Sequence, residues 1–206
     1  MKRSIDETAD RFDEMSETYD ESRGPGAVET AERVVERAVA DATGAETVVD
    51  IGAGTGALAL NIAPHVDHVY ALDISEGMRE RAAAKAAEGD IDNVDFAHGT
   101  FRDPDATIDL PDGVDLVVSN FAMHHLSDGE KAEAIGVIRK LLGTSGRFVL
   151  GDVIVVDEAD VSVEYYDPAV DDPATRERLV DLFEAEGFTV EFERTGAMAG
   201  VVDGRL

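Results

Sequence analysis

Three glycines at alternate positions, Gly52, Gly54 and Gly56, follow an aspartate, Asp50, in the stretch VVDIGAGTG, and a second aspartate, Asp73, ends the later run YALD. Glycines so spaced let a chain turn tightly and press its backbone against a ligand. A helix beginning directly after them adds free N–H groups and the positive end of its dipole. The chemistry on offer is the holding of a nucleotide-like cofactor, and charge decides which one.

Gly52, Gly54 and Ala57 also satisfy the dinucleotide pattern G-x-G-x-x-G/A, but a pyrophosphate there would meet the Asp50 carboxylate as a like charge. S-adenosylmethionine (SAM) would bring an ammonium and a sulfonium, and its one carboxylate suits the helix N-terminus. SAM is therefore the cofactor expected. NAD, or a solvated turn acid with no ligand, are the alternatives. In a doubly wound sheet Asp73 comes to lie beside the glycine turn, where the ribose of an adenosine presents two hydroxyls. Ser75 is the better cap for the following helix, and Ile74 and Met78 are placed to pack on an adenine.

A further group lies in SNFAMHHLSDGEK, where His124 and His125 follow what reads as a central strand. As strand neighbours they would point to opposite sides, so the two are not expected to serve one site or chelate one metal. Methyl transfer from a sulfonium is an in-line displacement, in which alignment alone supplies roughly 7 to 11 kcal/mol. A base is needed only where the acceptor carries a proton. Candidates are His124, His125, Asp152, Tyr19 and Tyr166. No metal ligand is assigned, because a metal-dependent catechol-type site would want an Asp-Asn pair where the chain has Asp152-Val153.

The elements that position these groups follow from periodicity. Ile5, Ala9, Phe12, Met15 and Tyr19 fit one amphipathic helix over about 5–20, broken by Arg23-Gly24-Pro25-Gly26, and a second helix runs from about 27 to 42. Strands are expected at 47–51, 66–72, 94–98, 114–119 and 147–156, with helices at 57–62, 76–88, 128–142 and 173–186 between and after them. Two short strands, 188–194 and 198–202, close the chain as an antiparallel pair.

At 206 residues, one α/β domain with a sizeable core is expected. Cysteine is absent, which excludes disulfides, thiolate metal sites and cysteine nucleophiles. The N-terminal stretch is acidic and polar, unlike a signal peptide, and no apolar run would span a bilayer. A cytoplasmic protein without a membrane segment is the expectation. The net charge of −27, from 45 acids against 18 bases, is spread over the whole length, as in proteins of salt-loving microorganisms. Such acidity disfavours nucleic acid as a partner, although molar salt, with a Debye length of about 3 Å, blunts that argument.

Taken together, VVDIGAGTG, ALDIS, SNFAMHHLSDGEK, GRFVLGD and EGFTVEF resemble the class I SAM-dependent methyltransferases, specifically the small-molecule branch in salt-adapted, haloarchaeal-like form. The resemblance implies a Rossmann-like doubly wound sheet of about seven strands. The last strand is antiparallel and inserted between the fifth and sixth, with helices on both faces. It implies that Asp50, Gly52, Gly54 and Gly56 hold the methionyl part of SAM and that Asp73 holds the ribose. Thr100 and Phe101 would face the adenine edge, Ile74 its face, and Asn120 the methyl-transfer side. The resemblance places His125 and Tyr19 near the methyl group, which favours these two among the candidate bases. Relatives often have an acid where this chain has Thr100, and their lid after the fifth strand is longer. A single domain is thus expected, with 1–23 as a cap helix and 24–206 as the SAM-binding core. The main functional expectation is methyl transfer to a small molecule. An RNA or protein methyltransferase, a SAM-binding regulator without turnover and an NAD-dependent oxidoreductase are the rivals.

Overall fold

The computed structural model describes residues 5–44, 46–160, 162–163 and 165–206. Residues 1–4 of the expected cap therefore lie outside the described residues. Seven strands form one sheet in the order β3-β2-β1-β4-β5-β7-β6. They are β1 Thr47–Ile51, β2 His68–Asp73, β3 Val94–His98, β4 Val114–Asn120, β5 Leu142–Val153, β6 Thr189–Arg194 and β7 Ala199–Arg205. The first five run parallel, and β7 lies antiparallel between β5 and β6. This is the doubly wound α/β sheet expected from the motifs.

Alternation along the strands feeds two cores, one on each face. Val48, Val69 and Val118 pack with Ala31 and Val34 of α3 (Pro25–Val39) and with Ile62 of α4 (Ala59–Ile62). On the other face Val49, Val117 and Phe148 meet Ile135 and Ile138 of α6 (Asp128–Leu141) and Phe183 of α7 (Arg176–Ala185). Within that second core the rings of Phe148 and Phe183 stack at 4.9 Å. The remaining helices are α1 Ile5–Met15, the single turn α2 Tyr19–Ser22, and α5 Glu76–Glu88.

Several boundaries depart from the sequence reading. The helix expected over 5–20 is broken after Met15, where the buried Ser16 turns its hydroxyl back to donate to the Asp13 carbonyl at 2.9 Å. That local bond competes with the helical ladder. At Leu142 the chain passes directly from α6 into β5, so Gly143 belongs to a strand instead of closing a helix. Strand β7 continues to Arg205, beyond the expected Val202; the buried Asp203 within it pairs with Arg147 at 2.9 Å through one carboxylate oxygen.

The N-terminal segment attaches by a different physics. No residue of α1 is buried. What holds it is the Asp13 carboxylate, which accepts from the Ser75 hydroxyl at 2.5 Å and the Gly77 amide at 2.9 Å at the start of α5. Those bonds keep the Asp13 carboxyl below its usual range. Asp20 accepts from the Thr55 hydroxyl at 2.6 Å and pairs with Lys85 at 2.5 Å. Polar clamps, not apolar burial, place this segment over the carboxyl ends of the strands.

Candidate functional site

The turn after β1 is fixed by the end of β2. The amides of Gly52 and Ala53 both donate to the Leu72 carbonyl, at 2.8 and 2.9 Å, and the Gly54 amide donates to the Asp73 carboxylate at 2.8 Å. Gly52 has φ +77°, and a Cβ there would come within 2.5 Å of the Ala122 Cβ. Glycine at 52 is required both by conformation and by space. Gly56 differs from its neighbours. Its φ is +84°, but it faces Leu60 and Ala82 and lines neither of the cavities described below. Its small size serves packing against α4 and α5.

Two joined cavities open at this turn. The smaller is lined by Asp50, Gly52, Gly54, Thr55, Leu58 and Asn120, among others. Asp50 is buried; one oxygen accepts from the Ala59 amide at 3.2 Å, and the other has no partner among the described residues. Burial, only partly offset by that bond, pushes its carboxyl up to about 8, and the Asp73 charge adds to the rise. Asn120 likewise leaves its buried Oδ1 unpartnered. It fits only because residue 151 is a glycine, where a Cβ would stand 2.5 Å from that oxygen. Two orphaned oxygen acceptors beside a glycine turn call for a cationic, hydrogen-donating ligand.

The larger cavity is bounded by Asp73, Ile74, Met78, Thr100, Phe101 and Asn120 on the sheet side and by Ile5, Thr8, Phe12 and Tyr19 from the N-terminal segment. Asp73 accepts from Gly54 with one oxygen and from the Ser75 amide at 2.9 Å with the other, and burial holds its carboxyl above the usual range. Each oxygen keeps a second lone pair for a ligand hydroxyl. The Thr100 oxygen accepts from the amides of Arg102 and Asp103, so it shapes the loop rather than presenting a free acceptor to the cavity. Ser75 caps α5 through the Met78 amide at 3.0 Å, as expected.

Beyond Asn120 the chain turns at Phe121, whose φ of +54° places a non-glycine residue in the left-handed region. That conformation costs on the order of 1–3 kcal/mol and must be held by its surroundings. Phe121 lines both cavities and packs edge-on against Tyr165, ring centroids 5.4 Å apart. A third cavity adjoins it, lined by Arg11, Phe12, Tyr19, Arg23, His124, His125, Tyr165, Tyr166 and Asp171, among others.

Here the structure overturns a sequence expectation. His124 and His125 are not on a strand but in a 3-10 turn, Met123–His125, where successive side chains diverge far less than across a strand. Their rings lie 4.1 Å apart and converge on Asp171. His124 Nδ1 is 2.6 Å from Asp152, and His125 Nδ1 is 3.1 Å from Asp171. Burial holds the His125 imidazole below its usual value, against the pull of Asp171. Burial raises the Tyr19 hydroxyl. Asp152 is engaged by His124 and by its own neighbour's amide, so it is not poised as a base toward a ligand. Phe121, Tyr165 and Asp171 escaped the sequence reading. The DP and DDP turns around 167–173 were the only trace of Asp171, because its partners are distant in sequence.

Residues 48–146 match the methyltransferase domain family. Uncharacterized methyltransferases of Geobacillus sp. strain WCH70 and Geobacillus thermodenitrificans are 30% and 31% identical to this chain, each match covering 97% of it and 94% of the relative. Among solved structures, the YcgJ protein of Bacillus subtilis is 25% identical with a TM-score of 0.66, over 80% of this chain and 70% of that one. The DhpI–SAH complex is 21% identical with a TM-score of 0.75, over 98% and 96%. The two sequence relatives come from Geobacillus and YcgJ from Bacillus, so they give no support to the haloarchaeal part of the resemblance. The dinucleotide alternative is set aside, and the chain belongs to the methyltransferase family.

Proposed function

We propose that this methyltransferase binds SAM across the two joined cavities and transfers its methyl group to a small-molecule acceptor in the third. Residues 24–206 hold the cofactor and the described part of the cap, 5–23, covers it, within one domain. The observation that carries this reading is the pair of orphaned buried oxygens, Asp50 Oδ1 and Asn120 Oδ1, beside the glycine turn. An ammonium on the methionyl part suits them, and its carboxylate suits the turn's amides. Asp73 would take the ribose, with Ile74, Met78, Thr100 and Phe101 around the adenine. SAM and SAH in the structures of magnesium protoporphyrin IX methyltransferase and of DhpI support the assignment.

SAM supplies an electrophilic methyl on a sulfonium. The chain aligns the acceptor with it and excludes water, through Phe12, Tyr19 and Phe121 at the junction of the cavities. His125 and Tyr19 are the protic side chains facing that junction, and of these the neutral imidazole is the one able to take a proton. The rarity of apolar burial in α1 and the surplus of acids fit a cytoplasmic enzyme that works in salt.

Calorimetric titration with SAM and with SAH tests the reading. One equivalent of either should bind, and Asp50→Asn should weaken SAM more than tenfold, whereas titration with no heat in a folded protein overturns it. Formation of SAH from labelled SAM in cell extract, before and after nuclease or protease treatment, separates a small-molecule acceptor from RNA or protein. It also separates turnover from binding alone.

A further inference from the structure

His124, His125 and Asp171 all line the third cavity, with His125 also reaching the larger one, and their donor atoms are arranged as a ligand set. One donor atom from each residue lies within 4.8 Å of the other two. Two edges of the triangle are 3.1 Å, from His125 Nδ1 to Asp171, and 3.7 Å, from His124 Nε2 to the same oxygen. Ligands at about 2.0–2.1 Å around a tetrahedral zinc are separated by about 3.3 Å.

The surroundings point the same way. Asp152 lies 2.6 Å from His124 Nδ1, so that Nε2 is the ring nitrogen turned toward the Asp171 carboxylate. A carboxylate behind a ligating histidine is also the usual outer support of a metal site. The backbone of both ligand-bearing segments is stitched together. The Asp172 amide donates to the His124 carbonyl at 2.8 Å, and the buried Lys131 ammonium donates to the Leu126 and Asp172 carbonyls.

We propose that His124, His125 and Asp171 bind a divalent transition metal of the zinc class, with an open position toward the third cavity. Three protein ligands with a vacant fourth side is the pattern of a catalytic rather than a structural site. The fourth ligand would be the hydroxyl or thiol of the methyl acceptor: a bound cation makes its proton acidic, the proton leaves to solvent water, and the oxygen or sulfur bonds to the methyl carbon as the carbon–sulfonium bond breaks, giving the methylated acceptor and SAH. The assignment of that role rests on the methyltransferase reading above, and with the metal bound His125 serves as a ligand in place of a base. The acceptor class is thereby narrowed to molecules with a hydroxyl or thiol able to ligate a metal.

The test uses the full chain, stripped with a chelator and titrated with Co²⁺ alone in molar potassium chloride, which screens the surface acids. One equivalent should bind with the visible spectrum of a nitrogen- and oxygen-ligated site. His125→Gln and Asp171→Asn should each weaken binding at least tenfold, while Asp128→Asn on the surface leaves it unchanged. Circular-dichroism melts confirm that each variant is folded, and if one is not, the other carries the comparison. No saturable binding in the wild type, or binding equal in Asp171→Asn, overturns the proposal and leaves His125 and Asp171 as a hydrogen-bonded pair. SAM binding measured without metal fails or succeeds independently, so loss of the functional reading and loss of the metal site are told apart.

Discussion

The two walls of the cleft are built differently. The wall made by Asp50, Gly52, Gly54 and Asp73 rises from the ends of adjacent parallel strands, with backbone amides locked to Leu72 and Asp73. The opposite wall comes from α1, the Phe121–Leu126 turn and the segment around Tyr165 and Asp171, held by side chains that reach across long sequence separations. The first wall is covalently short-range and sterically fixed; the second is assembled. Substitutions in the first should act on cofactor binding, and disturbances of the second on the acceptor.

The largest effect is expected from Gly52→Ala. A side chain at φ +77° costs roughly 1–2 kcal/mol before any contact. The Cβ would also stand 2.5 Å from that of Ala122 and displace the Phe121 turn. SAM affinity should fall beyond calorimetric detection while the protein keeps a cooperative melt, somewhat lowered. Retained affinity would show that the turn yields, and the contrast between the walls would fail.

Next is Asp73→Asn, which keeps the side chain's shape but replaces one acceptor oxygen with a donor. Loss of charge-assisted bonds to ribose hydroxyls should cost about 1.5–3 kcal/mol, or about ten- to hundredfold in SAM affinity. Because Asp73 also braces Gly54 and Ser75, the melting temperature should drop as well. Equal affinity in a folded variant removes Asp73 from the site.

A pH series sharpens the same wall. With its carboxyl pushed up to about 8, Asp50 is mostly protonated at neutral pH in the free protein. An ammonium placed beside it favours the ionised form, so SAM binding should release a proton. Affinity should then rise by up to about tenfold per pH unit between 6 and 8 and level off above. The effect on stability has the opposite sign. A carboxyl raised in the folded state stabilises most fully below its unfolded value near 4, and that contribution is lost as pH rises toward 8. Titrations in buffers of different ionisation enthalpy detect the proton, and Asp50→Asn should flatten both profiles.

How far each wall could be read from sequence follows from the same difference. Val48, Val49 and Ile51 leading into Gly52 declare a buried strand and a tight turn within nine residues, and the sheet order follows from strand–helix alternation. Asp73 was placed by the same topology. The assembled wall left fainter traces. The histidines were read with a strand's alternation, but the strand ends at Asn120 and Phe121 enters the left-handed region, which no local pattern announced. Asp171 lies 46 positions beyond His125 and reaches it by tertiary folding alone. The N-terminal segment was expected as a cap helix, and its Ile5, Thr8 and Phe12 border the cavity that contains Asp73 and Ile74.

The smallest expected effect concerns that segment and uses salt as the probe. Helix α1 carries five acids against Arg11, buries no residue, and is fixed chiefly by the Asp13 carboxylate on α5. It belongs to a chain whose net charge is −27. At 0.01 M ionic strength repulsion reaches about 30 Å, whereas at 1 M it is confined to about 3 Å. Dilute buffer should therefore loosen α1 before it touches the β1 turn, whose amides are bonded at short range. Hydrogen exchange across a potassium chloride series should show protection of 8–15 falling severalfold at low salt, while that of 52–54 holds. Methyl transfer to a given acceptor should decline in step with α1, with SAM affinity changing less, because α1 gives Ile5, Thr8 and Phe12 to a cavity whose other side is built on Asp73, Ile74, Met78 and Asn120. Exchange that rises equally in both regions would mean that the surplus acids weaken the whole fold, and that the cap is as much a part of the core as the strands are.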